Sequence, residues 1–308
     1  MKKIIISSLV MLVLAFSAVA QDDIQKIYDQ SKTQYDNKQY DAAMAGFKRV
    51  IAMNPNIFQP HFYLGLCYYD LKNYQESIKE LQESVRLKPD FALAYINLGN
   101  AYDILGNYDN AVSAYKKAIS LNPNDDLANT ELGVAYNNHN SYVEAVQVLK
   151  EAVRLKPDSF RAFKELGIAY NGQKMYPEAI VAYNQAIRLK PDYADAYLGL
   201  GNAYYEDKHW AESIPYYKKA TELSPDGETA FLYLADAYLN TKQYTLATVC
   251  YQKAIELDPK DAEAIYGLGL TYFNLKNKTF LKMQIDKLKS LDEEKANKLQ
   301  AKLDSLDQ

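Results

Sequence analysis

The sequence predicts an all-α protein built as a solenoid of tandem helix–turn–helix repeats, closed at its C-terminal end by one further helix. The first observation is a proline every 34 residues, at Pro55, Pro89, Pro123, Pro157, Pro191, Pro225 and Pro259. Small residues recur with the same period. Between them, apolar residues follow the three- and four-residue spacing of amphipathic helices. A period of this length indicates one small unit copied along the chain, each copy burying its apolar face against its neighbours.

Residues 1–20 have the pattern of a secretory signal peptide. Two lysines precede an apolar stretch, and Ala18-Val19-Ala20 provides the small residues of a cleavage site before Gln21. We therefore predict export to the periplasm or out of the cell, with cleavage after Ala20. An uncleaved anchor is the alternative, but the apolar stretch is shorter than the ~20 residues that a spanning helix needs. The mature protein is thus expected to have no integral membrane segment.

Residues 21–291 are predicted to hold eight repeats of 34 residues. The repeats start near Ile24, Phe58, Ala92, Asp126, Phe160, Ala194, Glu228 and Ala262. In the third repeat, Gly106-Asn107 forms the turn between two amphipathic stretches. The recurring proline ends the second helix, because it lacks the amide hydrogen and biases the residue before it away from helical dihedral angles.

Three positions of the 34-residue repeat carry the pattern most clearly. Position 8 is small, and position 11 is tyrosine in seven repeats. Position 27 is alanine in five consecutive repeats, at Ala118, Ala152, Ala186, Ala220 and Ala254. Small residues are expected where two helices approach closely, with large side chains filling the spaces opposite.

Residues 292–308 are predicted to form a capping helix and a tail. Glu293 stands where the next proline would fall, and Asp292 can cap a last helix. Ala296, Leu299 and Leu303 would share one side of it and cover the final apolar face. Together with a polar first repeat, this favours a monomer.

The recurring Leu-Gly, tyrosine, alanine and proline positions resemble those of tetratricopeptide repeat proteins. The resemblance extends over eight consecutive repeats, from residue 24 to about 291. It implies a right-handed superhelix of helix–turn–helix units with a concave groove lined by the first helix of each repeat. About eight repeats would make one superhelical turn. The first repeat departs from the pattern, with Gln30 and Ser31 in place of Leu-Gly.

The sequence contains little that could support catalysis. Repeats and cap use nearly the whole chain after the signal peptide, so we predict no enzyme, no cofactor and no metal. The three histidines fall in different repeats at different positions and cannot converge on one ion. Cys67 and Cys250 are too far apart in a solenoid to form a disulfide. Removing residues 1–20, which contain two lysines and no acid, changes the net charge from −4 to −6, which argues against nucleic acid as a partner.

The groove positions that the resemblance implies are rich in tyrosine and asparagine. Of 28 tyrosines, nineteen are explained by packing within the repeats, and seven of the remaining nine fall at groove positions. Tyrosine is a favoured recognition residue because its large ring also carries a hydroxyl. Some of these rings could instead pack sideways between repeats. The candidate binding residues are Tyr63, Tyr69, Asn97, Asn100, Asp103, Asn137, Asn202, Tyr205, Tyr233, Asp236, Tyr266 and Phe273.

Charge at the same groove positions is mainly negative, with ten acids and three bases. Clamps of this family that hold a peptide's terminal carboxylate need several inward lysines or arginines, so that mode is disfavoured. We predict a non-catalytic scaffold or assembly factor of the cell envelope that holds an extended basic or aromatic polypeptide in this groove. The alternative is an accessory or regulatory subunit of an envelope secretion or glycan-processing complex, docking through a convex basic face that includes Lys116-Lys117 and Lys218-Lys219.

Overall fold

The computed structural model describes residues 21–306. The predicted signal peptide and its cleavage site, and the last two residues of the predicted tail, lie outside these residues. The helices are α1 (residues 21–36), α2 (Tyr40–Met53), α3 (Phe58–Asp70), α4 (Tyr74–Leu87), α5 (Ala92–Ile104), α6 (Tyr108–Leu121), α7 (Asp126–Asn138), α8 (Tyr142–Leu155), α9 (Phe160–Gly172), α10 (Tyr176–Leu189), α11 (Ala194–Glu206), α12 (Trp210–Leu223), α13 (Glu228–Asn240), α14 (Tyr244–Leu257), α15 (Ala262–Asn274), α16 (Lys278–Leu288) and α17 (Glu293–Ser305).

Consecutive helices pack as antiparallel hairpins, and no strand occurs between residues 21 and 306. The prediction of an all-α solenoid of helix–turn–helix repeats is confirmed. The chain divides into two compact units between Ala135 and Tyr136, inside α7. In the first unit each helix from α2 to α6 contacts the next; in the second the same holds from α8 to α17.

The turn inside each hairpin is made by one residue with left-handed backbone conformation at position 15. In the third repeat it is Gly106, with φ of 72°. In the other seven it is lysine or asparagine, at Lys38, Lys72, Asn140, Lys174, Lys208, Lys242 and Lys276. The turn closes the end of the first helix, as where the Asn73 amide donates to the Tyr68 carbonyl at 2.8 Å. This bond satisfies a carbonyl that the helix end would leave unpaired.

The core consists of alanines and a few large side chains on facing helices. Position 24 is filled by the fully buried rings of Tyr115, Tyr183, Tyr217 and Tyr251. Position 8 is glycine in the repeats of Tyr115, Tyr183 and Tyr217, where it makes room for the ring, and it is Ala235 in the repeat of Tyr251. A Cβ added to Gly201 would lie 2.6 Å from the Tyr217 ring, which is closer than atoms can approach. Position 8 is therefore small because a large side chain lies against its backbone, a tyrosine ring at Gly99, Gly167 and Gly201 and a leucine at Gly65 and Gly269.

The last helix, α17, contacts both α15 and α16. Asp292 caps it, with its side chain accepting a hydrogen bond of 3.0 Å from the Lys295 amide. Ala296 and Leu299 of α17 are buried, on the side that faces the preceding helices. No helix among residues 21–306 combines the length and the apolar character needed to cross a membrane.

Candidate functional site

The second unit contains a cavity of about 530 Å³ lined mainly by tyrosines. Its walls come from the first helices of repeats five, six and seven (α9, α11 and α13) and from residues of α8, α10 and α12. Its tyrosines are Tyr142, Tyr176, Tyr183, Tyr205, Tyr217 and Tyr233. The other lining residues are Ile168, Asn171, Gly172, Lys174, Asn202, Glu206 and Asp236. We call this set the tyrosine cavity.

The rings that line the cavity are held by close packing. A Cβ added to Gly172 would lie 2.6 Å from the Tyr142 ring, so this ring rests directly on the α9 backbone. The Tyr217 ring lies 5.9 Å from that of Tyr233 at an angle of 45°, and 6.5 Å from that of Tyr205 at 60°. The Tyr205 hydroxyl accepts a hydrogen bond of 2.8 Å from the Asn240 amide group. The site is therefore built on helices whose side chains are largely fixed.

Position 9 of the first helix pairs with the tyrosine at position 24 of the second helix. In the sixth repeat the Tyr217 hydroxyl donates to Asn202 Oδ1 at 2.8 Å. In the third repeat Tyr115 donates to Asn100 in the same way at 2.7 Å. In the seventh repeat Tyr251 donates to the Asp236 carboxylate. Because Asn202 uses its oxygen for Tyr217, its NH₂ group is left to donate towards a ligand in the cavity.

Tyr183 breaks this pairing. Its ring is only 2% exposed, but position 9 of its repeat is Ile168, which offers no acceptor. Within residues 21–306 the Tyr183 hydroxyl has no hydrogen-bond partner, and the residue lines the cavity. The Tyr183 side chain is buried, but its hydroxyl is not among the fully buried polar atoms that lack a partner, so Tyr183 offers the cavity a hydrogen-bonding group that the repeat itself does not use.

The cavity carries two acidic side chains, and one of them is mostly buried. Burial raises the pKa of Asp236 from 3.8 to about 6, although the hydrogen bond from Tyr251 lowers it. Glu263 and Asp261 raise it further through charge repulsion. Burial, and then the charge of Asp236, raises the pKa of Tyr205 to about 12. The same two causes raise the pKa of Tyr233. These shifts indicate a negative potential at this end of the cavity.

Four of the predicted binding residues meet in the cavity: Asn202, Tyr205, Tyr233 and Asp236. Sequence reasoning missed most of the other lining residues. Four of the lining tyrosines were among the nineteen assigned to packing, namely Tyr142, Tyr176, Tyr183 and Tyr217, and Asn171 was not singled out. The signal that could have found Tyr183 is the isoleucine at position 9 of its repeat, where other repeats with tyrosine at position 24 have Asn or Asp.

The remaining predicted residues do not join this site, and Asn137 is buried. Asn137 is 7% exposed, and its amide donates to the carbonyl oxygen and to Oε2 of Glu165, at 3.0 and 3.1 Å. It is therefore held inside the repeat stack and does not present its amide to a groove ligand. Asn97 is partly exposed, and it donates to the Leu93 carbonyl of its own helix at 2.8 Å.

The predicted aromatic residues outside the cavity pack against neighbours. Tyr63 stacks on Phe47 at 5.5 Å, and Tyr69 meets Tyr74 edge-on at 5.4 Å. Phe273 lies beneath Lys302 Nζ of α17, 4.8 Å from the ring centroid. Tyr266 packs against the core near the C-terminal helices. For Tyr63 and Phe273, packing between elements accounts for the ring without a ligand. Asp103 and Asn100 lie half-buried on α5, in the first unit.

No group of three or more His, Cys, Asp or Glu side chains within residues 21–306 could hold a metal ion. His61 is buried and pairs through Nδ1 with Glu80 Oε2 at 2.7 Å. The cavity chemistry is that of aromatic faces, hydroxyls, amides and carboxylates, which is suited to binding.

Stacked helix hairpins with a polar and aromatic cavity define a helical-repeat scaffold of the kind that mediates protein interactions. Family models described as tetratricopeptide repeat match residues 92–125, 114–147 and 194–226, and a model described as TPR repeat matches 67–103, 169–208 and 236–276. The chain belongs to the tetratricopeptide repeat family, as its sequence pattern predicted. Comparison with curated protein sequences gives no significant match.

Several solved structures share this fold. A tetratricopeptide repeat protein from Parabacteroides merdae ATCC 43184 is 18% identical, with a TM-score of 0.64, and the match covers 80% of this chain and 98% of that one. MamA is 25% identical, with a TM-score of 0.51 and coverage of 55% and 92%. YrrB, described as a TPR protein with an unusual peptide-binding site, is 23% identical, with a TM-score of 0.53 and coverage of 62% and 100%. These structures support the fold assignment.

Proposed function

We propose that the protein is a non-catalytic scaffold or assembly factor of the cell envelope that holds an extended polypeptide segment. The segment is basic or aromatic, and it binds in the tyrosine cavity and along the first helices beside it. The observation that carries this proposal is the convergence of six tyrosines, two amide side chains and two acids on one space of about 530 Å³. That space is large enough for a few side chains of a peptide and matches the size of ordinary ligand sites.

The chemistry of the lining favours a polypeptide over other ligands. Tyrosine rings give contact area at a low cost in conformational entropy, and their hydroxyls bind polar groups. The Asn202 amide can donate to a backbone carbonyl, while Glu206 and Asp236 favour positive charge. Nucleic acid is a poor candidate, because its phosphates would meet these acids and a chain of net charge −4. Location in the envelope rests on the signal-peptide pattern of residues 1–20.

One experiment tests both parts of the proposal. The protein would be recovered from fractionated cells, its N-terminus determined by mass spectrometry, and the mature chain titrated with fluorescent ten-residue peptides of graded Lys, Arg and aromatic content. We expect recovery from the envelope fraction with Gln21 first. Basic or aromatic peptides should bind, and Tyr205→Ala or Tyr233→Ala should weaken that binding about tenfold.

Two controls separate the cavity from the rest of the surface. Tyr216→Ala removes a half-buried tyrosine that stacks on Tyr204 at 5.2 Å outside the cavity, and should leave affinity unchanged. The double change Lys218→Glu and Lys219→Glu tests docking through the outer helices. Equal affinity of wild type and both cavity variants, or loss of binding only in the lysine variant, would contradict the proposal.

A further inference from the structure

The seventh repeat differs from two others at one structural slot. At position 9 the third and sixth repeats have Asn100 and Asn202, each accepting a hydrogen bond from a buried tyrosine hydroxyl at 2.7 and 2.8 Å. Asp236 occupies the same slot and accepts from Tyr251. The tyrosine therefore needs an oxygen acceptor, and a neutral amide provides one in two other repeats. The negative charge of Asp236 has no role in this packing.

The charge of Asp236 also lacks a cationic partner. Within residues 21–306, no lysine, arginine or histidine forms an ion pair with this carboxylate. The groups that face it are Tyr205 and Glu206 from α11, Tyr217 from α12, Tyr251 from α14, Glu263 from α15, Asp261 before that helix, and Tyr233 of its own helix. Lys174 lines the cavity at the turn after α9, but makes no ion pair with Asp236. A buried charge without a partner destabilises a fold. A cation from outside the chain would offset this cost by pairing with the carboxylate.

Aromatic faces surround the same carboxylate. The ring of the buried Tyr217 lies between those of Tyr205 and Tyr233, with centroid distances of 6.5 Å to Tyr205 and 5.9 Å to Tyr233. Aromatic faces attract cations, most strongly where water is excluded. A planar guanidinium can stack on such a ring while donating two hydrogen bonds to a carboxylate, and it is more weakly hydrated than an ammonium group.

We propose that Asp236 and the half-buried rings of Tyr205 and Tyr233 form an anchor subsite for one cationic side chain of the bound polypeptide, with arginine preferred over lysine, while the buried Tyr217 ring supports the two from behind. This anchor deepens the proposed function and rests on it for its biological partner. The subsite accounts for the acid at position 9 of this repeat, because stability given up by burying a carboxylate is recovered when the cation binds.

The anchor can be tested with a small probe that does not depend on the identity of the partner. N-acetyl-arginine amide would be titrated into the full mature chain, with chemical shifts of backbone amides read by NMR, against the neutral isostere N-acetyl-citrulline amide. We expect arginine amide to shift residues around Asp236 and to bind about five- to tenfold more tightly than citrulline amide. Asp236→Asn should bring the arginine probe to the citrulline level, while Asp195→Asn, a charge removed from an exposed α11 site outside the cavity, should not.

Lowering the pH provides a second readout. With the pKa of Asp236 at about 6, about one carboxylate in ten stays ionised at pH 5, so arginine affinity should fall about three- to fivefold between pH 7.5 and 5, towards the citrulline level. Citrulline affinity should not change. Equal binding of the two probes, no binding of either, or full arginine affinity in Asp236→Asn would overturn the anchor. If peptides bind through Tyr205 and Tyr233 without an arginine preference, the anchor is refuted and the proposed function stands. If the arginine amide binds selectively but no peptide binds, the anchor stands and the proposed function is refuted.

Discussion

Two tyrosine-rich regions on the first helices of the repeats use the same residue in opposite ways. Near the N-terminus, Tyr28, Tyr35, Phe47 and Tyr63 form what we call the N-terminal aromatic cluster, with ring centroids 5.5–6.0 Å apart. In the second unit, the tyrosines of repeats five to seven surround a cavity of about 530 Å³. Both sets include rings at groove positions, but the cavity that Tyr28 of the N-terminal cluster lines measures only about 130 Å³.

The difference comes from the neighbours of each ring. In the N-terminal aromatic cluster, position 24 is the fully buried Phe47, whose ring stacks on Tyr63. In the cavity, the rings are flanked by Gly172, Asn202 and Asp236, which are small or polar and leave volume unfilled. Position on the helix therefore does not decide by itself whether a tyrosine lines a cavity or packs in the core. The size of the residues opposite the ring decides it.

The largest expected effect tests whether the N-terminal aromatic cluster is structural. Phe47→Ala removes a ring with 0% exposure that contacts Tyr28 and Tyr63. We expect a loss of about 3–5 kcal/mol in the free energy of unfolding, seen by hydrogen exchange as lost protection in α1, α2 and α3. Phe47→Leu, which keeps most of the volume, is the matched control. Peptide affinity at the cavity should be unchanged; a fall in affinity with intact stability would make this cluster part of the binding surface.

The next effect concerns the acid in the cavity. Burial raises the pKa of Asp236 from 3.8 to about 6, so the folded protein holds a proton that the unfolded chain releases. The free energy of unfolding therefore falls as pH rises through this window, and the cost is fully present above pH 6. Asp236→Asn keeps an acceptor for Tyr251 and removes that cost. We expect a gain of about 1–2 kcal/mol at pH 7.5, after allowing for partial solvation.

Urea denaturation of wild type and Asp236→Asn at pH 7.5 and pH 4 would measure this. The advantage of the variant should disappear near pH 4, where wild-type Asp236 is protonated in the folded state. A variant less stable than wild type at pH 7.5 would mean that the carboxylate stabilises the fold. The cavity would then not differ from the N-terminal aromatic cluster by carrying a destabilising charge.

The smallest effect separates two buried tyrosines of the second unit. Tyr183→Phe removes a hydroxyl without a partner and should change the free energy of unfolding by less than about 0.5 kcal/mol. Tyr217→Phe leaves Asn202 Oδ1 without its donor and should cost about 0.5–1.5 kcal/mol. Thermal denaturation of the two variants side by side makes the comparison. Equal losses would show that the Tyr183 hydroxyl already has a structural role, so that it is not spare for a ligand.

The fold could be predicted from the sequence because the residues that repeat every 34 positions have strong local effects on the backbone. The first helices of repeats two to eight begin at Phe58, Ala92, Asp126, Phe160, Ala194, Glu228 and Ala262, where the periodicity starts a new copy. Proline follows the second helix in the first seven repeats, and glycine at position 8 reflects one close contact, within its own hairpin at Gly201 and with α17 at Gly269. Such signals need no knowledge of distant residues.

The candidate site was predictable only in part, because a cavity depends on several repeats at once. Asn202, Tyr205, Tyr233 and Asp236 were found from their helix positions, but Asn137 at the same position 12 as Asn171 is buried by Glu165. Tyr183 looks like the packing tyrosines of other repeats until it is paired with Ile168. The envelope location and the monomeric state remain predictions from the sequence.

The residue with left-handed backbone conformation at position 15 of every hairpin determines which insertions and deletions the fold can accept. Its conformation fixes where the first helix stops and the second begins, together with the hydrogen bond that the next residue's amide donates to the first helix. Inserting a single residue there would rotate the second helix and turn its apolar stripe away from its neighbours. Whole copies can be gained or lost without that penalty, because each copy touches only those beside it. The length of the stack can accordingly change in steps of one hairpin.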